Sequence, residues 1–383
     1  MRIVYLYRSI AIKRGIERTI VQKANLLSAD KQNEVYIVTY EQGNHPYSFP
    51  LSNNVKTFDL NIRILQMYHL HGLKRYVYGY TLKRKLLKEG GRFLRSLNPD
   101  IIVCSVNCTL DIECALKARM CAKVVVEGHM AYETFTMYNN SCHFLRKWVS
   151  NYKRYKLRTA VSHSDLMVCL TKADENFWKS YTSTCLIPNM LTEKHEGKID
   201  NDLCFKRVLA VGALTFQKGY DMLLRAWETV EQRYPDWHLD IIGDGEEEDS
   251  LRRQKQQLAL EHVTFLPSTL NVYEEYCQSD FLVFSSRFEG FGMVLIEAMS
   301  CGIPCVSFDC PSGPAEIIED RQTGLLVKSL DIEGLAQKIC YMIENEKERR
   351  NMGRCARKAA ERFRPETVLS QWYQVFNQLL SLR

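Results

Sequence analysis

Residues 288–299, F-E-G-F-G-M-V-L-I-E-A-M, place two carboxylates, Glu289 and Glu297, eight positions apart, with Gly290, Phe291 and Gly292 between them. The apolar run F-L-V-F before them reads as a strand, and the apolar residues after them read as a helix. Glycines let a backbone approach a bound molecule closely. The amides of Gly292, Met293 and Val294 would open the helix. A helix N-terminus offers N–H groups without intrahelical partners, and the positive end of a dipole, to an anion. A diphosphate is the natural guest. Glu297, one turn inside the helix, can accept two hydrogen bonds from a vicinal diol such as a ribose. Glu289, in the loop, can reach a sugar beyond the diphosphate. The same spacing also suits a helix that caps itself with acids. Spacing alone leaves both readings open.

Elements of the right kind surround this stretch. Strand-like runs alternate with helical patterns along the chain, which predicts βαβ units and parallel sheets. In the first half the expected strands are Ile3–Tyr7, Val35–Thr39, Ile101–Ser105, Lys123–Glu127, Leu166–Leu170 and Cys185–Pro188, with helices starting near Ile16, Leu110 and Lys172. A polar segment comes next, and the pattern restarts at R-V-L-A-V-G-A-L. The predicted domains are 1–192 and 206–364, joined by a linker at 193–205. A long helical stretch is expected from Asp331 to about Phe363. A last amphipathic helix, 365–383, is expected to pack back on the N-terminal domain. In open α/β sheets, ligands bind beyond the carboxyl ends of strands, where the 288–299 loop would lie.

Composition narrows the classes. The chain has 383 residues, 46% hydrophobic and 25% charged, which suits two globular domains. No apolar run reaches the ~18 residues of a membrane span, and Met1 leads directly into a strand-like run. The expected location is therefore cytoplasmic. None of the 14 cysteines is spaced C-x-x-C and none of the nine histidines lies in H-E-x-x-H, so buried free thiols and no metal site are expected. The one D-x-D, Asp200 to Asp202, falls in the linker. No G-x-G-x-x-G follows the first strand of either half, so a dinucleotide oxidoreductase is not supported.

The two halves differ in charge. Residues 1–192 carry 28 Lys and Arg against 14 Asp and Glu, and the remainder carries 23 against 31. Residues 71–95 and 144–158 mix cations with Tyr, Trp and Leu, which suits an anionic membrane surface on its inner face. Solvated helices are the competing reading. The basic stretches contain no nucleic-acid reading motif.

The paired glutamates, with G-F-G between them and E-A-M-x-C-G-x-P around the second, resemble the motif of family 4 glycosyltransferases, the group 1 type. V-L-A-V-G-A-L-T-F-Q-K-G-Y-D-M-L-L-R-A-W at 208–227 resembles that family's phosphate loop. Residues 241–245, 263–267, 312–327 and 185–191 resemble further family segments in the expected order. The resemblance covers most of the chain. It implies an α/β GT-B fold, with two Rossmann-like domains facing each other across a cleft. It also implies retaining transfer of a hexose or N-acetylhexosamine from a nucleoside diphosphate sugar, with a UDP-sugar favoured, and no metal or other cofactor. The acceptor would be a glycan or a polyprenyl-diphosphate-linked glycan in surface polysaccharide or lipopolysaccharide biosynthesis. Lys218 matches the lysine that holds the diphosphate. Gly15 matches the glycine loop of the first domain, and His129 a histidine near the donor sugar and acceptor. Glu289, His129 and Lys218 are the expected catalytic residues. Gly15, Lys218, Gly290, Phe291, Gly292, Met293, Val294 and Glu297 are the expected donor-binding set. With no nucleophile evident beside the sugar, a front-face route is expected. The chain departs from the family pattern at Ala213, where an arginine is usual. That departure keeps a catalytically silent partner subunit in view, beside a GT-B sugar-nucleotide epimerase.

Overall fold

In the computed structural model the described residues are 1–12, 15–129, 131, 144–191, 204–269 and 271–381. Asp200 to Asp202 and most of the expected linker lie outside them. The chain divides into two compact units, Met1–Thr192 with Pro365–Arg383, and Glu193–Arg364.

The first unit is built on a seven-stranded sheet in the order β3-β2-β1-β4-β5-β6-β7. Its strands are β1 Arg2–Leu6, β2 Glu34–Thr39, β3 Val55–Asp59, β4 Ile101–Ser105, β5 Lys123–Glu127, β6 Leu166–Cys169 and β7 Thr184–Leu186. Every pairing is parallel. Successive side chains of a strand point to opposite faces, and β1 shows the consequence. Ile3 and Tyr5 enter one core layer with Ile20, Ala24 and Leu27 of the Gly15–Ala29 helix. Val4 and Leu6 enter the other, with Leu82, Leu86, Ile112 and Leu157 from further helical segments. Both faces of a parallel sheet must be covered, which is why these strands read as unbroken apolar runs.

The Pro365–Ser381 helix belongs to the first core layer. Val368, Trp372, Phe376 and Leu379 recur at helical spacing, are buried, and pack with Ile3 and Ile20.

The second unit repeats the plan with six parallel strands in the order β10-β9-β8-β11-β12-β13. They are β8 Arg207–Val211, β9 His238–Ile242, β10 Val263–Leu266, β11 Phe281–Phe284, β12 Cys305–Asp309 and β13 Gly324–Lys328. In both units the strand order reverses beside the first strand, the crevice where doubly wound sheets bind ligands.

Three elements differ from expectation. β3 is an edge strand with one fully buried residue in five, so it lacks an apolar signature. β13 opens on Gly324, in the 312–327 segment where no strand is expected. The stretch from Asp331 is two helices, Ile332–Glu344 and Glu346–Ala360. The break at Asn345 lets the buried Arg349 reach the Met342 carbonyl at 2.5 Å and Asp280 at 3.3 Å. No helix among the described residues is long and apolar enough to cross a membrane.

Candidate active site

The second sheet's switch point lies between β8 and β11, and two loops meet there. The loop after β8 forms a short 3-10 turn, Phe216–Lys218, then Gly219, then the Tyr220–Arg233 helix. Gly219 has φ +65, and a Cβ there would stand 2.2 Å from the Ser285 carbonyl oxygen at the end of β11. Only glycine permits both that backbone and that approach. Ser285 Oγ donates to the Lys218 carbonyl at 2.9 Å and ties the loops again. Arg287 completes the junction. Its guanidinium grips both carboxylate oxygens of Asp221, at 2.8 and 2.7 Å, and stacks on Phe216 at 4.0 Å. Burial would push the Asp221 carboxyl up, but Arg287 holds it below its ordinary value.

The second loop, after β11, carries Glu289. Its backbone is bracketed by the loop after β12: Glu289 N donates to the Pro311 carbonyl at 2.7 Å, and Ser312 N donates to the Glu289 carbonyl at 3.0 Å. The side chain points back across the junction. Lys218 Nζ lies 2.5 Å from Glu289 Oε1, and Ser286 Oγ donates to the same oxygen at 3.0 Å. Lys218 also lies 5.3 Å from the centre of the Phe284 ring. The expected diphosphate ligand and the expected sugar ligand therefore form one ion pair.

Gly292 caps the Met293–Ser300 helix with φ +106, a conformation that favours glycine, and the helix directs its first amides toward the loop. Phe291 is buried edge-on against Phe363, with ring centres 5.7 Å apart. Its side chain anchors the loop and its backbone leads into Gly292. Gly290 lies before it in the loop and needs no positive φ. Met293 and Val294 are half-buried in the first turn. Glu297 is buried, with Tyr276 Oη 3.2 Å from its Oε2. Burial and Glu297 both push the Tyr276 hydroxyl up, so it remains a donor. Tyr276 escaped sequence reasoning, since a Tyr in a short Val272–Cys277 helix carries no signal of its own. Ala213 is exposed, and the nearby Arg287 is committed to Asp221. Lys218 is therefore the cation at this junction that faces Glu289.

In the first unit, Gly15 starts the Gly15–Ala29 helix, and a Cβ there would meet nothing within 4 Å. His129 follows β5 with its side chain buried, its Nε2 2.9 Å from Glu127 Oε2. Lys23 lies 2.5 Å from the other oxygen, Glu127 Oε1. The sequence singled out His129 and not Lys23, which looks like one more helical lysine until the helix docks on the sheet. Among the described residues no group of three or more His, Cys, Asp or Glu could hold a metal, and the cysteines are free thiols.

Two parallel doubly wound units, with paired loops at a switch point, define the class: this is the GT-B fold of glycosyltransferases. Similarity to solved structures agrees. A variant of TarM from S. aureus, in complex with Fondaparinux, alpha-GlcNAc-glycerol and UDP, superposes with a TM-score of 0.76 at 15% identity over 98% of this chain and 99% of that one. Residues 192–359 match the family model described as glycosyl transferases group 1. An uncharacterized glycosyltransferase of Haemophilus influenzae is 28% identical over 97% of this chain and 98% of its own length. The amylovoran biosynthesis glycosyltransferase AmsD of Erwinia amylovora is 34% identical over 56% of this chain, and the match spans 62% of AmsD.

Proposed function

We propose that this enzyme is a retaining transferase. It moves a hexose or N-acetylhexosamine from a UDP-sugar to a glycan or lipid-linked glycan during surface polysaccharide or lipopolysaccharide assembly. The observation that carries this reading is the meeting of Lys218, Glu289 and the N-terminus of the Met293–Ser300 helix at one switch point. A diphosphate placed there meets a cation and helix amides, which can balance its charge without a metal. Entry of the diphosphate gives Lys218 a more highly charged partner than Glu289 and releases Glu289 toward the sugar hydroxyls. Glu297, fixed by Tyr276, addresses the ribose. As the glycosidic bond breaks, Lys218 stabilises the charge growing on the leaving phosphate. In the front-face route that phosphate oxygen takes the acceptor's proton, while position and charge stabilise an oxocarbenium-like sugar. His129 and Gly15 keep their proposed roles toward a sugar and a diphosphate.

The donor is tested by thermal shift, since a ligand of the folded state raises apparent stability by mass action. UDP and UDP-sugars should raise Tm more than the adenosine, guanosine and cytidine counterparts. Equal shifts for every base would remove the uridine assignment, and no shift with any nucleotide would remove the site.

The acceptor reading includes an anionic membrane. Support comes from the Gly72–Lys85 and Phe144–Ser162 helices, which share one core layer through Leu82 and Leu157. Their outer faces expose Leu73 (78%), Tyr76 (76%) and Trp148 (61%) beside Lys74, Lys147 and Lys153. Exposed aromatic and basic side chains mixed on these helices match the chemistry of an anionic bilayer.

A further inference from the structure

Under the C-terminal helix of the first unit lies a charged cluster buried in an otherwise apolar setting. Lys23 and Glu127 are 2% and 3% exposed, and their 2.5 Å contact is flanked by the Trp372 ring, whose centre is 3.9 Å from Lys23 Nζ. His129 stands against the far oxygen of the same carboxylate. The three residues come from separate elements: the Gly15–Ala29 helix, β5, and the loop after β5. An isolated buried lysine is costly, and burial does lower the tendency of Lys23 to hold its proton, with Glu127 opposing that effect. Burial alone would push Glu127 up. Lys23 first, and His129 with it, outweigh burial and hold the carboxyl at about 2. Glu127 is therefore an anion with two claimants.

Charge balance governs this cluster. Lys23 and Glu127 together are neutral. We infer that Lys23 is a positioning residue: by pairing with Glu127 Oε1 it fixes the carboxylate whose other oxygen stands against His129, and so orients the imidazole at the carboxyl end of β5, while Trp372 holds Lys23 in place. This rests on the reading of His129 given above, and it assigns work to Lys23, Glu127 and the C-terminal helix that the active-site motif does not. Tyr5 from β1 also faces the cluster, its ring centre 5.9 Å from Lys23 Nζ, and is kept neutral chiefly by burial. Val168, Ile187 and Met190 close the remaining side and carry no charge.

The test reads the imidazole directly. The full chain is labelled at histidine Cε1, the His129 signal is assigned by its loss in His129→Gln, and its midpoint is tracked by NMR between about pH 5 and 8. Lys23→Met leaves Glu127 facing His129 alone and should raise the midpoint by about one pH unit or more. Glu127→Gln leaves Lys23 alone and should lower it. Lys23→Arg should keep it near that of the unchanged protein. A merely structural role for Lys23 would not move the midpoint in opposite directions in the first two variants. An unmoved midpoint in folded Lys23→Met overturns the inference. If that variant does not fold, an unmoved or raised midpoint in Glu127→Gln overturns it. UDP release from UDP-glucose is measured in parallel. Loss of turnover in Lys23→Met with recovery in Lys23→Arg supports the inference. Midpoints that move while His129→Gln keeps normal turnover would overturn the role of His129 and leave the coupling standing.

Discussion

Lys218 and Glu289, 71 residues apart in sequence, close an ion pair of 2.5 Å across the junction of two loops. In the proposed donor site the two have separate tasks, yet in the structure each is the other's partner. The pair stores a cation and an anion side by side where a diphosphate and a sugar would enter, and separating it becomes part of binding.

Removing either partner should therefore act in opposite directions on nucleotide affinity. Glu289→Gln releases Lys218 and should tighten UDP binding by about fivefold, the scale of a partly exposed ion pair. Its turnover should nevertheless fall. Lys218→Ala should weaken UDP binding and cut turnover by about 100-fold or more. Calorimetric titration with UDP, beside a transfer assay, checks both. Weaker UDP binding in Glu289→Gln would contradict the exchange of partners.

Gly219→Ala should destabilise the second unit. The new methyl would meet the Ser285 carbonyl at 2.2 Å in a left-handed backbone. The expected cost is about 2 kcal/mol or more, a fall in Tm on the order of 5 °C, read by calorimetry. Gly15→Ala, which meets nothing, should leave Tm unchanged.

Asp111 supplies a pH signature of the first unit. It is fully buried, and burial raises its carboxyl to about 7 against the pull of Tyr40, Cys108 and Arg8. The folded state therefore holds a proton that the unfolded state, with a value near 3.9, gives up. Stability is lost as pH rises from about 4 to about 7, by up to about 4 kcal/mol. Asp111→Asn removes that loss, so its advantage over the unchanged protein should grow across the same window. Urea midpoints measured at several pH values check the slope, and a constant difference would refute it.

Lys74→Glu combined with Lys153→Glu should weaken sedimentation with anionic vesicles by about tenfold or more, since each basic residue near such a surface contributes about 1 kcal/mol. Binding to neutral vesicles should barely change. Equal binding of the unchanged protein to both lipids would argue against the membrane reading.

Local pattern was enough to read most of the scaffold. β4 and β5 run over the residues their apolar runs mark, and the 288–299 stretch is a loop running into a helix, as its glycines and apolar spacing suggest. β3 was illegible because an edge strand buries little. The break at Asn345 was illegible because a buried Arg349 decides it, and burial is a tertiary property.

The sequence by itself determined that two parallel α/β sheets form and which short segments carry acids, glycines and cations near strand ends. Hydrophobic period and glycine placement are local and survive without knowledge of neighbours. Partnership was decided only by tertiary structure. Nothing in the spacing joins Lys218 to Glu289, Tyr276 to Glu297, or Lys23 to Glu127 beneath Trp372. Those contacts exist because strand order brings distant loops to one switch point, and because helices separated in sequence must share the face of one sheet.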